Sequence, residues 1–384
     1  IYLYDIKREC FDNSFYSNIS NCDFEKKIEV CKLDNKNYKQ ISFNYDKTTV
    51  ISLYHIFAKI KLLFDYILNP LVSLFGCITN FLILKIIKKN EKILFKEKLY
   101  KFMHINSKIN FLYCLINFIN IINLCNYYKF YCSSLYGSYF AQYYKIIFVS
   151  FIGNILKLSS NYTYLFVIIN RYMLIGKTHL IFFEKLSKIS TLIVIYFIFI
   201  LSILLSISKT IEYSINISNF YDEYPTWVIG SSMSNTELSK KTFIILFIFY
   251  DVFNFLAYSI LSLLIDIITI RKLKKTLDDK KDNKSKTRTV KDAIKMVLTN
   301  FSTNIIIRLP ELLSLFTSIL AALTNENFYL NDLLCRHLYF CSISKNFSNF
   351  FFTFSISLNF FIFYRFNSCF RKCVCSFFSK KKSN

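Results

Sequence analysis

Residues 142–172 read QYYKIIFVSFIGNILKLSSNYTYLFVIINRY. The stretch is apolar at both ends of a polar middle, Lys157-Leu158-Ser159-Ser160-Asn161, and closes on Asn170-Arg171-Tyr172. A helix needs about 20 mainly apolar residues to cross the hydrocarbon of a bilayer, and this one has them. Six further stretches of the same kind accompany it, giving seven at about 60–87, 100–125, 142–172, 188–208, 242–270, 293–321 and 337–364. A single apolar stretch also fits a buried core helix. Seven in succession, separated by charged loops, fit a polytopic membrane protein.

Composition agrees. The 384 residues are 54% hydrophobic and carry 43 Phe and 28 Tyr but only 5 Gly and 3 Pro. The five Gly stand far apart, which excludes the glycine-rich phosphate loops of nucleotide-binding enzymes. Four dispersed His give no HExxH and no metal constellation, and neither GxSG nor a pair of catalytic aspartates appears. No enzyme, cofactor, metal or nucleic-acid partner is expected. The solvent for most of the chain is the lipid bilayer.

The bias toward Phe, Ile, Lys, Asn and Tyr is that of AT-rich coding, so the placement of lysine carries the topology rather than its amount. Segments 85–101, 171–188, 271–295 and 365–384 hold 28 Lys+Arg against 7 Asp+Glu. The alternate segments, 1–57, 126–145, 209–241 and 324–336, hold 14 against 14. Codon bias raises lysine everywhere and cannot sort it onto alternate loops. The positive-inside rule therefore sets 1–57 outside and the C-terminus inside. Three regions follow: an extracellular segment 1–57, a helical bundle 58–364, and a cytoplasmic amphipathic helix with tail, 365–384. The fold class is all-α and the expected location is the plasma membrane.

Cys10, Cys22, Cys31, Cys125, Cys132 and Cys335 fall in or beside the outside segments, where disulfides form, and their 15 pairings stay open. Asn18 and Asn216 begin outside glycosylation sequons. Inside, Cys373 and Cys375 sit among Arg371, Lys372, Phe377 and Phe378, a pattern for an acylated membrane-surface helix. Charges within the bundle include Lys108, Lys157, Asp251, Asp266, Arg308, Glu311 and Lys345. Such charges are costly in lipid and are kept for function. Arg308 and Glu311, three apart on one helix face, can pair with each other. Lys157, Asp251, Arg308, Glu311 and Lys345 are the candidates for lining a polar ligand pocket open to the outside.

Asn170-Arg171-Tyr172 at the inner end of the third span resembles the (D/E)RY signature of rhodopsin-like G-protein-coupled receptors, with Asn in place of the acid. Other positions are similar: Asn80 in the first span, Asn110 in the second, Ser160 in the third, and Pro310 midway through the sixth. Asn359-Phe360-Phe361-Ile362-Phe363 resembles NPxxY with both Pro and Tyr replaced, and Phe370 opens the short helix after the seventh span. The chain departs from the family in lacking a Trp in the fourth span, a Pro in the fifth and a cysteine in loop 209–241, and in having Arg308 where an aromatic switch residue is usual. These departures fit a divergent, invertebrate-type branch. The resemblance implies seven helices that couple an extracellular ligand, such as a neuropeptide or other polar molecule, to a heterotrimeric G protein. In that reading Asn170, Arg171 and Tyr172 act in coupling, while Asn80, Asn110, Ser160, Pro310, Asn359 and Phe363 act as conformational switches. The rival reading is a transporter or channel that uses the buried charges as an ion or solute path. No inverted repeat supports it.

Reporter tags inserted at residues 20 and 380 should be accessible from opposite sides of the membrane in intact cells. Accessibility from the same side would overturn the charge-based topology.

Overall fold

A computed structural model describes residues 59–124, 133–174, 181–209, 213–218, 226–231, 245–278 and 340–379 with single-residue gaps, Ile56, and short pieces between 294 and 316. The described residues are mainly helical. We number the long helices α1 (Phe64–Lys89), α2 (Lys98–Asn123), α3 (Gly153–Met173), α4 (Ile181–Lys188), α5 (Thr191–Ser206), α6 (Ile248–Lys275), α7 (Phe340–Phe366) and α8 (Ser368–Phe378). Among them α1, α2, α6 and the Asn346–Arg365 part of α7 are long and apolar enough to cross a membrane, which marks the chain as a membrane protein. A fifth crossing results if α4 and α5, bent by 96°, count as one broken span. Helix α3 extends a π-helical stretch, Tyr144–Ile152, but its polar middle keeps it below that hydropathy. The sixth expected span is described only in part, with helical turns at 308–312 and 315–316.

The helical class holds, and two local features were not expected. Tyr213–Ser218 and Thr226–Ser231 pair as an antiparallel ribbon, β1 and β2, with Tyr213 opposite Ser231 and Ser218 opposite Thr226. The sequence Tyr213-Ser214-Ile215-Asn216-Ile217-Ser218 alternates with strand period, which favours a ribbon once the segment leaves the helical bundle. The fourth expected span, 188–208, is the second limb of a bent pair rather than a straight helix. At the bend the Lys98 ammonium donates to the carbonyls of Ser187, at 2.6 Å, and Ile189, at 3.0 Å. A cation there satisfies carbonyls that the end of α4 leaves without helical partners.

Burial separates central from peripheral helices. Of the 21 residues of α3, 17 are buried and the other four, Asn154, Tyr162, Phe166 and Met173, are half-buried, so this helix is central. Helix α5, by contrast, buries only Val194, Ile198, Ser202 and Ser206, a single stripe at spacing four. The stripe faces α3, where the Ser159 and Ser202 hydroxyls lie 3.0 Å apart. A large apolar cluster joins α1 (Ile83, Ile87), α2 (Phe102, Met103), α3 (Val167, Ile168), α6 (Ile265) and α7 (Phe363), with Phe370 of α8 beneath it. Helix α8 starts where the Asn367 side chain accepts the Phe370 N–H at 2.9 Å, and Tyr100 donates to the same Asn367 oxygen at 3.1 Å.

Helix α1 meets α2 and α7 at Gly76. A Cβ there would stand 2.5 Å from Cys114 Sγ and 2.6 Å from Ser357 Oγ, so glycine is what lets three helices approach. Gly76→Val should cost about 1–3 kcal/mol by overpacking and lower the melting temperature of the detergent-solubilised protein. A variant that melts at or above the wild-type temperature would contradict this packing.

Candidate functional site

The polar middle of α3 forms the first site. Lys157 Nζ lies 3.3 Å from Glu311 Oε1, and Arg308 Nη2 lies 3.3 Å from the same oxygen. The three side chains are 7%, 2% and 3% exposed, respectively, for Lys157, Glu311 and Arg308. Helical spacing puts Arg308 and Glu311 on one face of the 308–312 turn, as the sequence suggests. Lys157 then joins them from α3, so a single carboxylate bridges two cations and two helices. Aromatic rings complete the enclosure: Phe352 of α7 lies 4.9 Å from Lys157 Nζ, and Tyr258 of α6 lies 4.8 Å from the Arg308 guanidinium carbon. Ring faces stabilise cations where water is absent. Lys157 also reaches Ser348 Oγ of α7 at 3.5 Å.

Asn161, one turn below Lys157, extends the network. Its side-chain oxygen accepts from Arg308 Nη2 at 2.9 Å, and its Nδ2 donates to the Asn254 carbonyl at 2.9 Å and side-chain oxygen at 3.0 Å. Asn254 lies in a π-helical stretch, Val252–Ala257, of α6. A π turn displaces carbonyls from the regular ladder and leaves them for side chains. The Phe253 carbonyl next to it accepts from Tyr162 at 3.1 Å. Two buried polar atoms of the cluster, Arg308 Nε and Glu311 Oε2, have no hydrogen-bond partner.

Of the five expected pocket residues, then, three meet directly. Asp251 of α6 is half-buried and close enough for its charge to act on Lys157. Lys345 belongs to α7, and its side chain lies outside the described residues. Lys108 is exposed on α2 and belongs to no buried cluster.

A second, uncharged layer lies between α2 and α3. Ser160 Oγ donates to Asn110 Oδ1 at 2.5 Å, Asn110 Nδ2 to Asn106 Oδ1 at 2.6 Å, and Asn106 Nδ2 to the Ser160 carbonyl at 2.9 Å. Asn110 and Ser160 are thus directly linked, and Asn106, which the sequence does not single out, bonds to both. Asn80 donates instead to its own helix at Gly76, 2.9 Å, and its buried Oδ1 has no partner. In α7, Asn359 and Phe363 are buried, and Phe363 packs edge-on against Phe370 with centroids 6.2 Å apart. Pro310 lies in the 308–312 turn between Arg308 and Glu311.

The third site is the end of α3. Asn170 does not hold Arg171: its amide donates to the Phe166 carbonyl at 2.7 Å. Arg171 is buried, with Nη1 lacking any partner. Tyr172 packs against Phe183 of α4, centroids 5.5 Å apart, and Lys272 of α6 sits 4.5 Å above its ring.

On α8 the two expected acylation cysteines divide. Cys373 is buried and Cys375 exposed, as is Cys369. Burial, with Cys369 alongside, pushes the Cys373 thiol pKa up and so reduces the thiolate that would react. Cys10, Cys22, Cys31, Cys125, Cys132, Cys335 and Asn18 lie outside the described residues, as does the centre of the 271–295 loop; Asn216 lies in β1.

Glu311→Gln should be strongly destabilising, because it leaves Lys157 and Arg308 buried with their bridging carboxylate gone. Breaking a buried pair typically costs about 3–5 kcal/mol. Adding Lys157→Met to that variant should recover part of the lost melting temperature. A double variant that melts no higher than Glu311→Gln alone would contradict the bridge.

No protein-family model matches the chain, and no curated protein matches it.

Proposed function

We propose that the chain is a rhodopsin-like G-protein-coupled receptor of seven spans, with its N-terminus extracellular and its location the plasma membrane. It would convert the binding of an extracellular ligand into nucleotide exchange on a heterotrimeric G protein. The observation that carries this reading is Arg171. A guanidinium at the end of the most buried of the described helices, in the sequence Asn170-Arg171-Tyr172, keeps a nitrogen without a partner inside the protein. Arginine does not shed its charge, so such a group needs an acceptor in some other state of the molecule. Carbonyls of an inserted G-protein tail supply that acceptor in the proposed active state.

The buried charges suggest how the two ends communicate. Glu311 and Arg308 flank Pro310, and a proline inside a helix removes one backbone bond and permits a bend. With Lys157 bound to Glu311, the sixth helix is tied to α3 above that point. A ligand that competes for Glu311 or Lys157 must bring its own charge, since it replaces an interaction that is expensive to break in a dry site. Releasing the tie lets the helix swing about Pro310 and opens the bundle around Arg171. The ligand and the G protein then favour the same arrangement and strengthen each other's binding.

Arg171→Ala should reduce basal and stimulated exchange of bound GDP, measured with reconstituted G proteins, by at least about tenfold. Each lost charge-assisted bond is worth about 1.5–3 kcal/mol, and about 1.4 kcal/mol is one decade. Arg171→Lys should rescue only in part, because an ammonium lacks the planar fork. A properly folded Arg171→Ala protein that exchanges nucleotide at the wild-type rate would refute the assignment.

A further inference from the structure

Asp266 of α6 is 1% exposed, and neither of its carboxylate oxygens has a hydrogen-bond partner. Ionised and alone, such a group costs several kcal/mol in a low-dielectric interior. A chain keeps a carboxylate there when an opposite charge completes it in some arrangement of the bundle. The cation whose charge acts on Asp266 is Arg171 of α3. Arg171 is itself buried, and its Nη1 is equally without a partner.

The two helices run side by side at this level. Ile265, next to Asp266, packs in the same apolar cluster as Ile168 and Tyr172. Further along α6, Lys272 lies over the Tyr172 ring, so α6 follows α3 to its end. Asp266 and Arg171 make no hydrogen bond and no ion pair within 4.0 Å, yet both are buried and each keeps an unsatisfied atom, on helices that pack against each other. Asn170, whose counterpart in the (D/E)RY signature is an acid, is neutral and already bonded to the Phe166 carbonyl. The restraint that Asn170 cannot give is available from the neighbouring helix.

We infer that Asp266 is a positioning residue for Arg171, pairing with its guanidinium from α6 and holding it inside the bundle until a cytoplasmic partner displaces it. This role rests on the receptor reading above. The pairing itself does not, and the two are tested separately. Planar guanidinium and carboxylate meet through two parallel bonds, which fixes the arginine's direction as well as its depth. Exchanging Asp266 for those carbonyls then costs less than leaving Arg171 with none.

The test uses full-length protein in phospholipid nanodiscs: wild type, Asp266→Asn, Asp266→Glu, Arg171→Ala, and Asp266→Asn with Arg171→Ala. Melting temperature reads the pairing without any G protein. Arg171→Ala should melt below wild type because it strands the carboxylate, and the double variant should melt above Arg171→Ala because the stranded charge is gone. Additive effects of the two substitutions on melting would overturn the pairing. Ligand-free exchange of GDP on reconstituted G protein reads the restraint. Asp266→Asn should raise it by about tenfold, the equivalent of about 1.4 kcal/mol, and Asp266→Glu should stay near wild type. A coupled melting cycle with unchanged exchange in Asp266→Asn would overturn the restraining role. Absence of exchange with every protein, wild type included, would sink the receptor reading, while the melting cycle still decides whether the two residues pair.

Discussion

One carboxylate, Glu311, lies between Lys157 and Arg308 in a site that side chains enclose. The rest of the bundle depends on that bridge. Two cations and one anion cannot be buried unless side chains enclose them, and α3 around Lys157 is buried from Ile155 to Asn161. Arg308 binds Asn161, Asn161 binds the π-helical turn of α6, and the aromatic rings of Tyr258 and Phe352 cover what remains. A polar helix in a membrane protein is stable only where its neighbours satisfy it. The apolar helices accordingly take the outer positions. Helix α5 shows this most plainly, with one buried stripe and a wide apolar remainder including Leu192, Ile193, Tyr196 and Phe197.

Polar contacts along α3 fall into three levels that differ in chemistry. At the charged level the bonds are strong, and removing one partner is expensive. The amide level of Asn106, Asn110 and Ser160 is neutral and nearly closed on itself, so it fixes the distance between α2 and α3 without holding charge. At the end of α3 the level is incomplete: Arg171 and Asp266 both retain atoms without partners. Incomplete satisfaction is where a second arrangement of the same side chains is energetically accessible. A rigid middle and an unsatisfied end suit a molecule that passes a change of state along one helix.

Much of this was legible in the sequence. Apolar stretches locate α1, α2, α6 and α7 to within a few residues, because about 20 apolar residues have few other uses. Arg308 and Glu311 pair as their three-residue spacing implies. Lys157 was recognisable as an intramembrane charge, but its partner is 154 positions away in the chain and follows only from the packing of α3 against the 308–312 turn. The roles of Asn106 and Asn254 were hidden in an asparagine-rich composition, where no single amide stands out. A π-helical turn leaves no mark in apolar periodicity, so the freed carbonyls that accept from Asn161 and Tyr162 were invisible. The ribbon of β1 and β2 was overlooked because its short alternation lies between strongly apolar stretches. On α8 the cysteine pattern identified the helix correctly, but not which thiol turns inward.

Helix α3 is the central helix, buried over most of its surface. Carbene footprinting of wild-type protein in vesicles, with a diazirine probe dissolved in the lipid and labelling mapped by mass spectrometry, tests that burial without any mutation. Heavy labelling is expected along α5 at Leu192, Ile193, Tyr196 and Phe197, with background labelling from Gly153 to Met173. Labelling of α3 at the level of α5, recurring every three to four residues, would contradict a central α3 and the buried charge bridge that requires it.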